Sequence, residues 1–345
     1  MLDRRKIERN VLTIINMNMA VKAGDKLLIV TDIPTSQEWR IEKIEKLLDF
    51  SRRSILAKMV SEIALKSFPS CEVEFYVYPS VGMHGVYPGN KVEEKMKSAD
   101  VVIAITTHSL THTDARERAC RAGTRVASMP TFLIEMLYPG GPIAVNYKEM
   151  ASKSRKIAGI LTKAKRAHIT SKEGTDLTFD LGNRKALIDT GIFAQKGAWG
   201  NLPSGEAYIS PLEGTAKGTV VVEKGWFPDL KQEMRFTLAA GEVENIVGGG
   251  EVGRRFKRLL ALEKNEEPYQ SRRNLAEFGV GTNSNARRHD NFLEAEKIEG
   301  TIHIAIGDNS HMGGAVTSDI HQDFIIPCPN VILDEKLVLK DGRMI

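Results

Sequence analysis

The sequence predicts an α/β protein in two parts: a mostly parallel α/β sheet domain over residues 1–160, followed by a β-rich domain over residues 161–345. Three observations carry that expectation. The 345 residues divide into about two domains at roughly 150 residues each. In the first half, short runs that are apolar on both faces alternate with helical periodicity, the pattern of βα units around a helix-covered sheet. From about Ala167 onward, strand-like alternation and tight glycine turns replace that pattern.

The elements follow in order. Lys26 to Val30, Val73 to Val77, Asp100 to Ile105 and Arg125 to Ala127 read as buried parallel strands. Between them, Ser51 to Ser67 places Ile55, Leu56, Met59, Val60, Ile63 and Ala64 at helical spacing. A second helix begins after Thr113, a hydroxyl cap followed by acidic Asp114. The polar, lysine-rich stretch Val145 to Lys165 is the expected inter-domain helix or boundary. In the second half, Leu177 to Leu181, Gly218 to Val222 and Met234 to Leu238 read as strands, and one helix spans Val252 to Leu262. Ala240-Gly241-Glu242 and Lys340-Asp341-Gly342-Arg343 read as hairpin turns.

Composition narrows the function classes. Hydrophobic residues at 42% and charged residues at 27%, with 29 Gly and 13 Pro, exclude disordered and collagenous classes. A net charge of +4 makes no case for nucleic acid, and no apolar run approaches the roughly 18 residues of a membrane span. Cys71, Cys120 and Cys328 are odd in number and far apart, so neither a disulfide framework nor a thiolate zinc site is expected. Together with the charged start MLDRRKIERN, they favour a cytoplasmic protein. TDIPTSQEW after the first strand lacks GxGxxG, and Gly248 to Gly250 lack a GK[ST] ending, so no nucleotide cofactor is indicated. GxSxG is also absent, which leaves nucleophilic catalysis unsupported.

The informative chemistry lies in the last eighty or so residues. His321 and Asp323 in SDIHQDF are two apart, so on a strand they face the same way and can reach one metal ion. His303 in GTIHIAIGDN shares a small-residue face with Thr301 and Ala305, while Ile302, Ile304 and Ile306 fill the other. Glu277 in LAEFGVGTN is followed at strand period by Gly279 and Gly281, which should leave room beside the carboxylate for an ion or a substrate. Glu206 in LPSGEAYISP is a fifth candidate, and His311 in GDNSHMGG a contact for substrate or metal. His108 and His112 are expected to be loop hydrogen-bonding residues, and the basic pairs near Arg254, Arg272 and Arg287 a solvated surface.

In order, GEAYISPLEGTAKGTVVV, LAEFGVGTN, GTIHIAIGDN and SDIHQDF resemble the metal-binding half of the aminopeptidase T and aminopeptidase S family of cocatalytic metallopeptidases. ADVVIAI and SLTHTDARERACRAGTRVASMP extend the likeness to that family's N-terminal domain. The resemblance implies a homodimeric metallo-aminopeptidase with Glu206, Glu277, His303, His321 and Asp323 as metal ligands and Glu206 or Glu277 as proton shuttle. It implies one or two divalent ions (Zn, Co, Mn or Mg) activating water against a peptide or small-molecule substrate, with no nucleic-acid or membrane partner. The family's tyrosine after the first histidine has no counterpart, since Ser310 and His311 stand there. Either His311 substitutes or the site takes one ion.

A related branch resembles 2,5-dihydroxypyridine dioxygenase, which shares the architecture and holds one iron by two histidines and an aspartate. His303, His321 and Asp323 would satisfy that set. That branch places a histidine where this chain has Glu277, which tips the sequence reading toward hydrolysis. A non-catalytic ligand-binding protein is the third expectation.

Overall fold

The computed structural model describes residues 4–345; the first three residues of the charged N-terminal segment lie outside the described residues. Contacts divide the chain into two compact units, Met1–Val145 with Gly191–Ser204, and Asn146–Thr190 with Gly205–Ile345. The fold is mixed α/β, with one parallel sheet and two antiparallel ones.

The first unit is built on five parallel strands in the order Glu72–Pro79, Lys26–Ile33, Val101–Ala104, Arg125–Ser128 and Trp199–Asn201. Leu27, Leu28, Ile29 and Val30 are all buried, so the strand is covered on both faces, as parallel strands require. The helix Ile44–Ser67 begins seven residues before the expected Ser51. In the helix Asp114–Arg121, Thr113 is the cap, its side chain accepting from the Arg116 amide.

Two expectations about organisation change. The boundary placed at residue 160 falls inside the helix Tyr147–Lys163, which belongs wholly to the second unit. The chain also returns to the first unit over 191–204, where Trp199–Asn201 supplies a fifth strand beside Arg125–Ser128. Three residues carry too little periodicity to announce a strand.

The second unit contains an eight-stranded antiparallel sheet running from Glu242–Gly248 to Arg343–Met344 and a five-stranded one. The latter is ordered His321–Pro327, Thr301–Gly307, Leu275–Gly281, Glu206–Ile209 and Leu187–Asp189, every neighbour antiparallel. Its inner face contributes Phe278, Ile302, Ile304, Ile306, Phe324 and Ile326 to the unit's core. Phe324 meets Phe227, Phe236 and Phe256, with ring centroids 5.5, 4.7 and 5.1 Å away. The helix Gly250–Leu260 starts from Gly249 in a left-handed conformation, which is the turn that the glycine triplet serves. Among the described residues no helix is long and apolar enough to cross a membrane.

Candidate metal centre

Alternation puts the candidates on the opposite face of the five-stranded sheet. Registers pair Glu277 with Ala305 and Ala305 with Asp323, so a small residue separates two carboxylates across three strands. His303 pairs with Gly279, His321 with Gly307, and Glu206 with both Gly281 and Asp189. Residues scattered over the sequence thus converge on one face of one sheet.

The contacts are close. His303 Nε2 lies 3.1 Å from Glu277 Oε1 and 3.5 Å from Glu206 Oε2. His321 Nε2 lies 3.2 Å from Glu277 Oε2 and 3.7 Å from Asp323 Oδ1. Two groups have ligand atoms mutually within 4.8 Å: Glu206, Glu277 and His303, and Glu277, His321 and Asp323. Glu277 belongs to both. Glu206, Glu277 and His303 are buried, whereas His321 and Asp323 are half-buried and form the open side.

The electrostatics follow from this packing. Burial opposes charge on every member, but opposite neighbours prevail. Burial lowers the His303 pKa, yet its hydrogen bond to Glu277 and the Glu206 charge hold it up at about 9. His321 is likewise pushed up, against burial, by Asp323 and Glu277. The same two imidazoles hold the Glu277 carboxyl far below the usual range despite its burial.

Several groups at this site escaped the sequence reading. Lys297 is buried with its Nζ 2.6 Å from Glu206 Oε1, 2.7 Å from Glu296 Oε1 and 4.0 Å from Asp189 Oδ2. Burial disfavours its charge, but these carboxylates keep the ammonium protonated well above its ordinary range. In the sequence, Glu296 and Lys297 sit in the charged run EAEKIEG, which reads as a solvated surface. Tyr208 pairs with Gly279 and so shares the site face; burial and the Glu206 and Glu277 charges raise its phenol pKa. Asp308 orients the open side, its carbonyl accepting a 2.8 Å hydrogen bond from His321 Nδ1.

The room expected beside Gly279 and Gly281 is filled by protein. A β-carbon on Gly279 would come 2.0 Å from His303 Nε2, and one on Gly281 2.1 Å from the Ile298 carbonyl. His311 lies outside both donor groups: its Nδ1 is 2.8 Å from Asp308 Oδ1 and its ring centroid 5.6 Å from that of His321. His108 is buried, with Nδ1 3.0 Å from Ser80 Oγ. Of the basic pairs, Arg254 and Arg272 are ion-paired to Glu251 and Asp319, while Arg273 is buried and donates to backbone carbonyls of Ala261 and Lys264.

The donor set fits a divalent cation. Carboxylate oxygens and imidazole nitrogens face one another, with Glu277 between the His303 and His321 rings, and a cation of borderline hardness suits such mixed donors.

The 2,5-dihydroxypyridine 5,6-dioxygenase (NicX) family model matches residues 17–345. The chain belongs to the NicX family. A 2,5-dihydroxypyridine 5,6-dioxygenase of Pseudomonas putida KT2440 is 24% identical over 276 residues, 74% of each chain. The solved structure of 2,5-dihydroxypyridine dioxygenase from that organism superposes with a TM-score of 0.74 at 18% identity, covering 100% of this chain and 98% of the other. AmpT from Thermus thermophilus superposes with a TM-score of 0.63 at 15% identity, covering 99% of each. At these identities the structural likenesses speak for the fold alone.

Membership in NicX corrects the sequence reading. The resemblance to aminopeptidase T holds for the fold, but the metallo-aminopeptidase assignment, its hydrolase chemistry and its peptide substrate are overturned by the family match over nearly the whole chain. The expectation went astray because donor residues on a common fold were taken for a common reaction, and chemistry resides in the site. A NicX chain is named for oxygen insertion, an oxidoreductase reaction that implies a metal such as iron.

Proposed function

We propose that this protein is a ring-cleaving dioxygenase of hydroxylated pyridines whose ferrous ion is held by Glu277, His321 and Asp323. The convergence of those ligand atoms within 4.8 Å, in a chain matched by NicX over residues 17–345, carries the reading. Three protein donors on one sheet face suit an ion that keeps open positions for substrate. When bound, the iron supplies the electron-transfer chemistry by which dioxygen and an aromatic ring react.

The chain's own groups do the positioning. The Asp308 carbonyl accepts a hydrogen bond from His321 Nδ1–H, which fixes the tautomer with Nε2 turned to Glu277 and Asp323. His303 donates from Nε2 to Glu277 Oε1 and so holds the central carboxylate from the buried side. Phe324, on the reverse of the strand that bears His321 and Asp323, locks that strand into the aromatic core. The half-exposed placement of His321 and Asp323 leaves the open side for a small planar ring. Free thiols at Cys71, Cys120 and Cys328 support a reducing, cytoplasmic setting.

The test is oxygen consumption by iron-loaded protein with 2,5-dihydroxypyridine, followed together with loss of the ring's ultraviolet absorption. Asp323→Ala is expected to lower both by more than a hundredfold and to lose the iron. Iron-loaded wild type that turns over no hydroxylated pyridine overturns the reading.

A further inference from the structure

The buried side of the centre already holds a cation of its own. Lys297 is 1% exposed, and its ammonium sits 2.6 Å from Glu206 Oε1, 2.7 Å from Glu296 Oε1 and 4.0 Å from Asp189 Oδ2. The other oxygen of Glu206, Oε2, is buried without a hydrogen-bond partner and points to His303, 3.5 Å from Nε2. His303 Nδ1 is also buried without a partner. Glu206, Glu277 and His303 therefore offer two carboxylates and an imidazole, ligand atoms within 4.8 Å, a donor set suited to a divalent ion. Beside that set, the Lys297 ammonium is held against the other oxygen of Glu206, Oε1, at 2.6 Å.

The backbone delivers Lys297 deliberately. Its neighbour Ile298 packs its carbonyl so near the Glu277 strand that a β-carbon on Gly281 would lie 2.1 Å from the oxygen. The Lys297 carbonyl accepts from the Asn283 amide at 2.8 Å, and the isolated bridge between Asn283 and Ile298 continues the pairing. The lysine stem thus leaves a segment tied to the end of the central strand and has a fixed line to Glu206. An ammonium is a compact point charge with three donors; Glu206 and Glu296 lie within hydrogen-bond reach of it, and Asp189 adds a charge 4.0 Å away.

We propose that the Lys297 ammonium stands in for a divalent ion, closing a second metal site formed by Glu206, Glu277 and His303. The chain accordingly takes one ion, on the open side, and Lys297 is a positioning residue that keeps Glu206 off the metal. The inference rests on the reading of Glu277, His321 and Asp323 as an ion site, and goes beyond it by assigning the buried half of the cluster.

Metal content separates the two. Protein loaded with Mn(II) and freed of excess is analysed for ions per chain, by electron paramagnetic resonance and by the shift of its melting temperature with added Mn(II). Wild type is expected to hold one ion with the spectrum of an isolated Mn(II). Lys297→Met is expected to hold two, with the exchange-coupled signal of ions sharing the Glu277 carboxylate, and to gain a second Mn(II)-dependent rise in melting temperature. Lys297→Arg restores one ion, and Lys297→Met with Glu206→Gln returns to one. Should Lys297→Met fail to fold, Lys297→Met with Glu296→Gln removes part of the uncovered charge and is expected to take two ions. Two ions in wild type, or one in the folded lysine-free variants, overturns the proposal. No ion in any of them overturns the metal centre itself.

Discussion

Gly279 lies directly beneath the imidazole of His303, so close that a β-carbon built on the glycine would approach Nε2 to 2.0 Å and Cε1 to 2.2 Å. The two residues pair across neighbouring strands, and the missing side chain of one is the space that the ring of the other fills.

That relationship predicts the outcome of Gly279→Ala. A methyl group there must push His303 off Glu277, since neither strand can yield within a sheet paired on both sides. Overpacking of this kind costs about 1–3 kcal/mol. The variant should melt at lower temperature and bind metal less tightly; unchanged metal affinity in chelator competition would refute the placement of the ring.

Asp308→Ala tests the support of the open side. The Asp308 carboxylate holds Ser310, His311 and the Ser318 amide, and its carbonyl holds His321 Nδ1. Loosening that turn should weaken metal binding about 10- to 100-fold, the usual effect of losing an outer partner of a ligand, with little change in global stability. Competitive titration against a fluorescent chelator reads the affinity.

Phe324→Ala addresses packing. The ring is fully buried among Phe227, Phe236 and Phe256, so truncation should cost about 3–5 kcal/mol, measured by urea unfolding. Because Asp323 and Phe324 are consecutive on one strand, metal affinity should fall as well.

Glu213 gives a pH dependence. Burial favours its neutral acid, but the amides of Ala315 and of Glu213 itself, with Arg184 and Asn309, hold the carboxyl down at about 2, below an ordinary value of 4.5. The folded pKa lies below the unfolded one, so its contribution to stability is complete above pH 4.5 and is lost as pH falls toward 2. Glu213→Gln should lower the urea midpoint at neutral pH, and the gap to wild type should close on acidification through that window. A gap that stays constant would show that the carboxylate is not the group responsible.

The strands, the capped helix after Thr113 and the same-face pairing of His321 with Asp323 were legible because each depends on local spacing. Glu206, Glu277 and His303 could be joined only through the family resemblance and not from spacing, since their meeting depends on register across three strands. Lys297 was invisible: the sequence EAEKIEG looks like solvated surface, and only the tertiary fold turns it inward onto Glu206. The Trp199–Asn201 strand was missed for a related reason, as it gains its partners from a segment some seventy residues earlier. The reaction type was misread because the donors are shared by fold relatives of different chemistry, whereas the family match settled membership.

The Glu277 and His303 strands are hydrogen-bonded on both flanks and buried along their whole length, while the turn around Asp308 to Ser318 hangs from their ends. Natural variation therefore has unequal room in the two places. Substitutions in the turn alter the approach to the centre without disturbing its donors, so homologues that have diverged in what they bind should differ there first and in the paired strands last.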